Sequence, residues 1–143
     1  MSKVSIYLNF MGDTEEAFNF YKGIFGGEFS SPIQRMGDIP MEGAPPLPEN
    51  EKDKVMHVAL PILDGTEIMG TDMLESMGMV RKLGNNTTIS LQPDSLEETK
   101  RLYSALSDGG SEKEDIKKMF WGAWWGVCLD KYGIRWMFNF PVE

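Results

Sequence analysis

Apolar and polar residues alternate along several short segments of the chain, the pattern that predicts β-strands with one buried face. In residues 3–10, for example, Ile6, Leu8 and Phe10 fall on one side of the strand and Tyr7 on the other. The same alternation predicts strands at residues 86–92 and 134–140, and further strands are predicted at 28–36, 54–62, 66–72, 112–120 and 123–131.

Two helices are predicted between these strands, and each begins at a capping signal and ends at a glycine pair. Asp13 with Glu16, and Ser95 with Glu98, have the spacing of a capping box at the start of a helix. The apolar stripes and terminal glycines are Ala17, Phe20, Tyr21, Ile24 and Gly26-Gly27 in the first helix, and Thr99, Leu102, Tyr103, Leu106 and Gly109-Gly110 in the second.

The order of these elements repeats along the chain. The helices correspond at an offset of 82 residues, the first strands at 81 and the last strands at 68. Two copies of strand–helix–three strands are the simplest explanation. The predicted architecture is α+β, with one domain (1–143) made of two paired βαβββ modules, 1–72 and 86–143, and a connector, 73–85. Each helix covers one face of its own sheet, and the other two faces are expected to form a cleft.

Residues 119–140 contain all four tryptophans and are predicted to form a hairpin that turns at Gly133, a position suited to positive φ. After the turn, apolar residues point to one side, whereas Arg135, Met137 and Asn139 point to the other. A charge, a thioether and an amide side by side favour the wall of a ligand cavity. The alternative is an ordinary edge hairpin with one solvated face.

Residues 37–53 are rich in proline and glycine and show no periodicity. A loop of this length in a small domain is either a functional flap or disordered. The methionines of the connector, Met73, Met77 and Met79, are either core filler or a cover for the cleft or for a subunit interface.

Composition narrows the classes of partner. A net charge of −8 argues against nucleic acid, because phosphate binding needs a basic surface. The single cysteine, Cys128, lies in an apolar run, which predicts an inert thiol and a reducing compartment. The first residues lack a signal-peptide pattern, and no apolar run approaches the ~20 residues of a membrane span. A cytoplasmic protein without a membrane partner is therefore expected.

Motifs spread over almost the whole chain carry a family resemblance. They are Tyr7-Leu8-x-Phe10-x-Gly12, Phe25-Gly26-Gly27, Asp53-Lys54-Val55-Met56-His57, Met69-Gly70-Thr71-Asp72, Phe120-Trp121-Gly122 and Asp130-Lys131-x-Gly133-x-x-Trp136-Met137-x-Asn139. With these motifs the chain resembles the vicinal-oxygen-chelate superfamily of glyoxalase I, bleomycin-resistance proteins and extradiol dioxygenases. Within it the chain is most similar to the PhnB-like branch, often described as similar to a demethylubiquinone methyltransferase.

The resemblance implies the glyoxalase/bleomycin-resistance/dihydroxybiphenyl-dioxygenase-like fold, a cup-shaped ligand site for each pair of modules, and often a homodimer. It does not imply an activity, because this fold hosts several unrelated ones. The sequence contains no Gly-rich phosphate loop and no methyl-donor fingerprint.

The resemblance also implies where a metal would bind. Metal-using members place His, Glu or Gln on the first and last strands of each module, and those positions fall near Ser5, Asn86, Met69 and Met137 here. Hard divalent cations prefer carboxylate or imidazole ligands, whereas thioethers suit soft ions. We therefore predict no metal at these positions and no cofactor, with the two methionines as apolar lining.

The lone histidine, His57, is either a hydrogen-bonded structural group or a base that faces the cleft. Glu67, on the same side by alternation, is a candidate partner for His57 or for Arg135. Glu67 and Arg135 would then form a buried ion pair or the polar contacts of a ligand site; the alternative is that each is solvated at the rim. Asp72 is a candidate to orient His57, but Gly70-Thr71-Asp72 is equally consistent with a turn at the end of a strand. The predicted ligand-binding residues are Tyr7, His57, Glu67, Met69, Trp121, Arg135 and Met137, and no metal ligand is predicted.

Two classes of function fit these residues. The first is a metal-free protein that binds a small, partly apolar molecule beside the tryptophans. The alternative is an enzyme of the lyase, isomerase or dioxygenase type. It would use His57 as general base and Arg135 to stabilise an oxyanion, or a divalent metal held by ligands outside the usual positions.

Overall fold

The computed structural model describes residues 2–38, 43 and 45–142. The chain forms two compact units, residues 1–82 and 83–143, and the boundary falls inside the predicted connector. Each unit has its own helix and its own four-stranded sheet.

The first unit consists of β1 (Ile6–Phe10), α1 (Thr14–Phe25), β2 (Gln34–Arg35), β3 (Val55–Ile62) and β4 (Thr66–Asp72). The strands lie in the order β1-β4-β3-β2; β1 is parallel to β4 and the other neighbours are antiparallel. Helix α1 packs closely on one face, since a Cβ atom on Gly70 would lie 2.5 Å from the Phe18 ring. Only glycine allows this approach.

The second unit consists of β5 (Ile89–Leu91), α2 (Leu96–Ser107), β6 (Ser111–Lys118), β7 (Ala123–Leu129) and β8 (Arg135–Pro141). Its strand order, β5-β8-β7-β6, and its one parallel pair, β5 with β8, repeat the first sheet. Helix α2 covers one face, where Tyr103 makes an edge-to-face contact with Phe138 at 5.5 Å between ring centroids. The predicted α+β architecture of two βαβββ modules is confirmed.

Each sheet buries the face that its helix covers. In the first sheet these positions are Leu8, Phe10, Val58, Leu60 and Ile68, and in the second they include Leu91, Cys128, Trp136 and Phe138. Alternation in the strands places the intervening residues on the opposite face, which we call the helix-free face.

The measured register corrects the predicted repeat. Tyr7 lies opposite Met69 in the first sheet, and Ser90 lies opposite Met137 in the second. The first strands therefore correspond at an offset of 83 residues, not 81, whereas the last strands correspond at 68 as predicted. The two offsets differ by 15 residues because the first unit has a longer connection between its second and third strands, which contains the Pro- and Gly-rich loop.

The helix stripe and several strand lengths also differ from prediction. Phe18 is fully buried in α1, whereas Phe20, predicted to lie in the stripe, is only half-buried. Strands predicted at 28–36 and 86–92 shorten to Gln34–Arg35 and Ile89–Leu91. The stripe predicted for α2 is confirmed, because all four of its residues are buried.

The two helix starts are capped differently. Ser95 accepts a hydrogen bond from the Glu98 amide at 3.0 Å, as predicted. The Asp13 side chain makes no capping bond and instead pairs with Arg81 at 3.3 Å. The acceptor for the Thr14 amide is Asp72 on β4, so the capping box predicted at Asp13 is wrong.

Most of the loop predicted at 37–53 lies within the described residues, but 39–42 and 44 do not. Met36–Asp38 and Glu49–Glu51 form short 3-10 helices at its ends. Among the helices that the structure describes, none is long and apolar enough to cross a membrane.

Candidate functional site: the helix-free sheet faces

Three of the predicted ligand-binding residues lie together on the helix-free face of the first sheet. Tyr7 on β1 is directly opposite Met69 on β4, and its ring centroid is 6.0 Å from that of His57 on β3. Tyr7 is 48% exposed, and the other two are half-buried. An aromatic ring, an imidazole and a thioether from three strands therefore form one mixed surface.

His57 has no carboxylate positioned to orient it in the described part of the chain. Asp72, the predicted candidate, points to the helix-covered side of β4. Its carboxylate accepts hydrogen bonds from the amides of Gly12, Thr14 and Val55 and from the Thr14 hydroxyl. The prediction that Asp72 orients His57 is wrong, because Asp72 stabilises the start of α1 instead.

Glu67 and Arg135, which we predicted to face a ligand, each have a polar partner in their own unit. Glu67 lies opposite Pro61 on the helix-free face and accepts a hydrogen bond from the Ser30 hydroxyl. Arg135 donates from Nη1 to Glu112 at 3.3 Å. Within the first unit, the partner found for Glu67 is therefore Ser30 and not the predicted His57. The pairing of Glu67 with Arg135 stays a prediction.

The helix-free face of the second sheet is continuous across its two central strands. Trp125, Val127 and Leu129 on β7 lie opposite Asn139, Met137 and Arg135 on β8, and all six are half-buried. This arrangement confirms that Arg135, Met137 and Asn139 share one face.

Two tryptophans meet at one end of this face. Trp121, which is 48% exposed, makes an edge-to-face contact with Trp125 at 6.1 Å. Trp124 is on the other side of β7, where Lys100 of α2 lies 5.0 Å from its ring. Trp124 and Trp125, which are adjacent in the sequence, therefore lie on opposite faces of the sheet.

Cys128 is excluded from this face and lies beneath α2, with 1% of its surface exposed. Burial, with a smaller contribution from the nearby Asp130, raises the pKa of its thiol to about 12. The thiol therefore stays protonated near neutral pH, as expected of an inert packing cysteine.

The residues at the expected metal positions do not fit a divalent cation. Met69 and Met137 occupy equivalent places in the two sheets, and their strand neighbours are Tyr7 and Ser90 rather than the predicted Ser5 and Asn86. A thioether is a poor ligand for a hard cation. Within the described residues, no group of three His, Cys, Asp or Glu side chains could hold a metal ion.

Sequence reasoning missed a pocket of about 120 Å³ at the end of β1 and β4. Its lining comes from Met11, Gly12, Asn50, Glu51, Lys54, Met73, Leu74 and Glu75. These residues belong to three separate stretches, so no local motif could have indicated the pocket. Its buried acid, Glu51, already accepts hydrogen bonds from the amide and hydroxyl of Ser76.

Comparisons with known proteins match the whole chain. A family model described as 3-demethylubiquinone-9 3-methyltransferase matches residues 2–138. The crystal structure of protein PA1353 from Pseudomonas aeruginosa is 31% identical, with a TM-score of 0.84 and complete coverage of both chains.

Two further solved structures are similar at lower identity. A putative 3-demethylubiquinone-9 3-methyltransferase, PhnB protein, from Bacillus cereus is 23% identical, with a TM-score of 0.69 over 98% of this chain and 100% of that one. A glyoxylase/bleomycin resistance protein/dioxygenase domain from Frankia sp. EAN1pec is 14% identical, with a TM-score of 0.65 over 99% and 98% of the two chains.

Proposed function

We propose that this chain, which belongs to the 3-demethylubiquinone-9 3-methyltransferase family, binds a small, partly apolar molecule on its helix-free sheet faces without a metal ion. Its fold is that of the glyoxalase/bleomycin-resistance/dioxygenase proteins, and the predicted PhnB-like resemblance is confirmed. Family membership supports the fold of this chain but not the methyltransferase activity in the family's description, because proteins that share a fold can have different activities.

The observation that carries the proposal is the composition of the two helix-free faces. Met69 and Met137 occupy equivalent positions, and the positions of His57 and Glu67 in the first unit correspond to those of Trp125 and Arg135 in the second. In each unit these three corresponding positions therefore carry an aromatic or imidazole ring, a thioether and a charged side chain. Half-buried apolar side chains with a few polar groups are typical of ligand sites.

The chemistry of the face favours binding over the alternative of general-base catalysis. An efficient histidine base is commonly oriented by a third group, as in nucleophile–base–carboxylate arrangements. The two carboxylates that the sequence suggested as partners of His57, Asp72 and Glu67, are bonded to other donors. Homodimer formation and a cytoplasmic location remain predictions from the resemblance and the composition.

Tryptophan fluorescence tests the proposal directly, since Trp125 lies on the helix-free face and its neighbour Trp124 does not. We expect part of a panel of small aromatic and alkyl compounds, charged and neutral, to change the emission in a saturable titration. Trp125→Phe should reduce that change by more than half, whereas Trp124→Phe should leave most of it. A wild-type protein that gives no saturable response to the panel, or an equal loss in both variants, would contradict the proposal.

A further inference from the structure

We infer that the ligand is an amphipathic anion, with an acid group bound by Arg135 and an apolar body that extends along the second sheet to Trp125. This inference rests on the proposed function and names its ligand class. The acid group is a carboxylate or an oxyanion of similar geometry.

The first support is the hydrogen bonding of Arg135. Its guanidinium has five N–H donors and no acceptor. The side chain is only 21% exposed, and its Nε is buried without a hydrogen-bond partner in the described residues. A buried donor without an acceptor is rare in folded proteins and calls for an explanation. An acid group of a ligand would supply that acceptor, because carboxylates bind two guanidinium N–H groups side by side.

The second support is that the only ion-pair partner of Arg135 within the described residues is displaceable. Glu112 lies on the edge strand β6, its side chain is 58% exposed, and it reaches across β7 to Arg135 at 3.3 Å. It has a left-handed φ of 48° in a stretch where the β6 register is irregular. Because Glu112 is more than half exposed, its carboxylate can return to water when a ligand acid takes its place beside Arg135.

The third support is the order of side chains along the face. From Arg135 the face continues through Met137 and Val127 to Trp125, which lies opposite Asn139. The four residue-to-residue steps from Arg135 to Asn139 span about 13 Å of extended strand. On β6, Glu114 lies opposite Val127 and disfavours an anion in the middle of the face, whereas Lys117 lies opposite Trp125. Lys117 is exposed to water, but Arg135 is half-buried and its Nε has no partner in the described residues, so the acid is placed at the Arg135 end and the apolar body toward the tryptophan.

The test is calorimetric titration with ω-phenylalkanoic acids of increasing chain length and with the matching primary amides. The wild-type protein should bind the acids on the order of tenfold or more tightly than the amides. Affinity should rise with chain length until the phenyl ring reaches Trp125. Arg135→Gln should abolish the preference for acids, and Arg135→Lys should retain part of it.

Glu112→Gln provides an independent check that leaves Arg135 intact. Removal of the competing carboxylate should strengthen acid binding several-fold and leave amide binding unchanged. If wild-type protein binds amides as tightly as acids, or if folded Arg135→Gln keeps the preference, the inference is wrong while the proposed function stands. If neither acids nor amides of any length bind, and the fluorescence panel is also silent, both are wrong.

Discussion

Replacing Asp72 with alanine is expected to destabilise the first unit by at least about 3 kcal/mol, because buried donors left without an acceptor each cost about 1–3 kcal/mol. The Asp72 carboxylate is 3% exposed and accepts four hydrogen bonds, with N···O distances of 2.8 Å to the amides of Gly12 and Val55. The Thr14 amide and hydroxyl donate the other two, at 3.2 and 2.6 Å. One side chain therefore joins β3, β4 and the turn after β1 to the start of α1.

Asp13→Ala is the matched control for this change. The sequence alone makes Asp13 the cap of α1, but in the structure its carboxylate accepts from the Met11 amide at 3.2 Å and forms a partly exposed pair with Arg81. Its loss should cost about 1 kcal/mol or less. Thermal unfolding followed by circular dichroism, with hydrogen exchange of α1, gives the comparison. All four tryptophans lie in the second unit, so circular dichroism and exchange of α1 are the more direct probes of the first. Equal destabilisation by the two substitutions would show that Asp72 is not the cap.

Replacing Asp130 with asparagine is expected to destabilise the second unit by about 3 kcal/mol, since hydrogen bonds to a charged group contribute about 1.5–3 kcal/mol. One oxygen of Asp130 accepts from the amides of Tyr132 and Ile134, at 2.8 and 3.0 Å. The other accepts from the Trp136 indole at 2.8 Å, and Trp136 is fully buried. The asparagine oxygen can accept the hydrogen bonds made to one oxygen of Asp130. Its NH₂ group then faces the donors that were bonded to the other oxygen.

Asp64→Asn is the matched control, because Asp64 lies in the corresponding hairpin turn of the first unit and is exposed. Its substitution should change stability by less than about 0.5 kcal/mol, as for most surface changes. Urea unfolding followed by tryptophan fluorescence measures the effect at Asp130, and circular dichroism measures the effect at Asp64. A loss below about 1 kcal/mol for Asp130→Asn would contradict the role assigned to this carboxylate.

Local pattern was sufficient to predict which residues share a face. Alternation placed Tyr7 opposite the buried side of β1 and grouped Arg135 with Met137, and the strand registers confirm both. The period of two in a strand leaves little freedom once one face must be buried. The repeat could be seen in the sequence because each module buries one face of its sheet against its own helix and therefore has a similar apolar pattern.

Long-range partners could not be predicted, because no local signal encodes them. Asp72 caps a helix that begins 58 residues earlier in the sequence. Glu112 reaches Arg135 only through a register irregularity in β6. In α1, residues 18 and 20 are both phenylalanine, so hydrophobicity does not distinguish them. The space above Gly70 accommodates the ring of Phe18. The measured offset of the first strands likewise depends on pairing with β4 and β8.

Carbon-13 labelling of the methionine methyl groups tests the central claim most directly, because Met69 and Met137 lie on the helix-free faces and other methionines of the chain do not. With the tightest compound from the fluorescence panel, we predict saturable shifts of the Met69 resonance, the Met137 resonance or both. The resonance of Met36, which is buried outside the helix-free faces, and that of exposed Met77 should move far less. Shifts confined to Met36 or Met77, with Met69 and Met137 unchanged at saturation, would contradict the proposal that the helix-free faces bind the ligand.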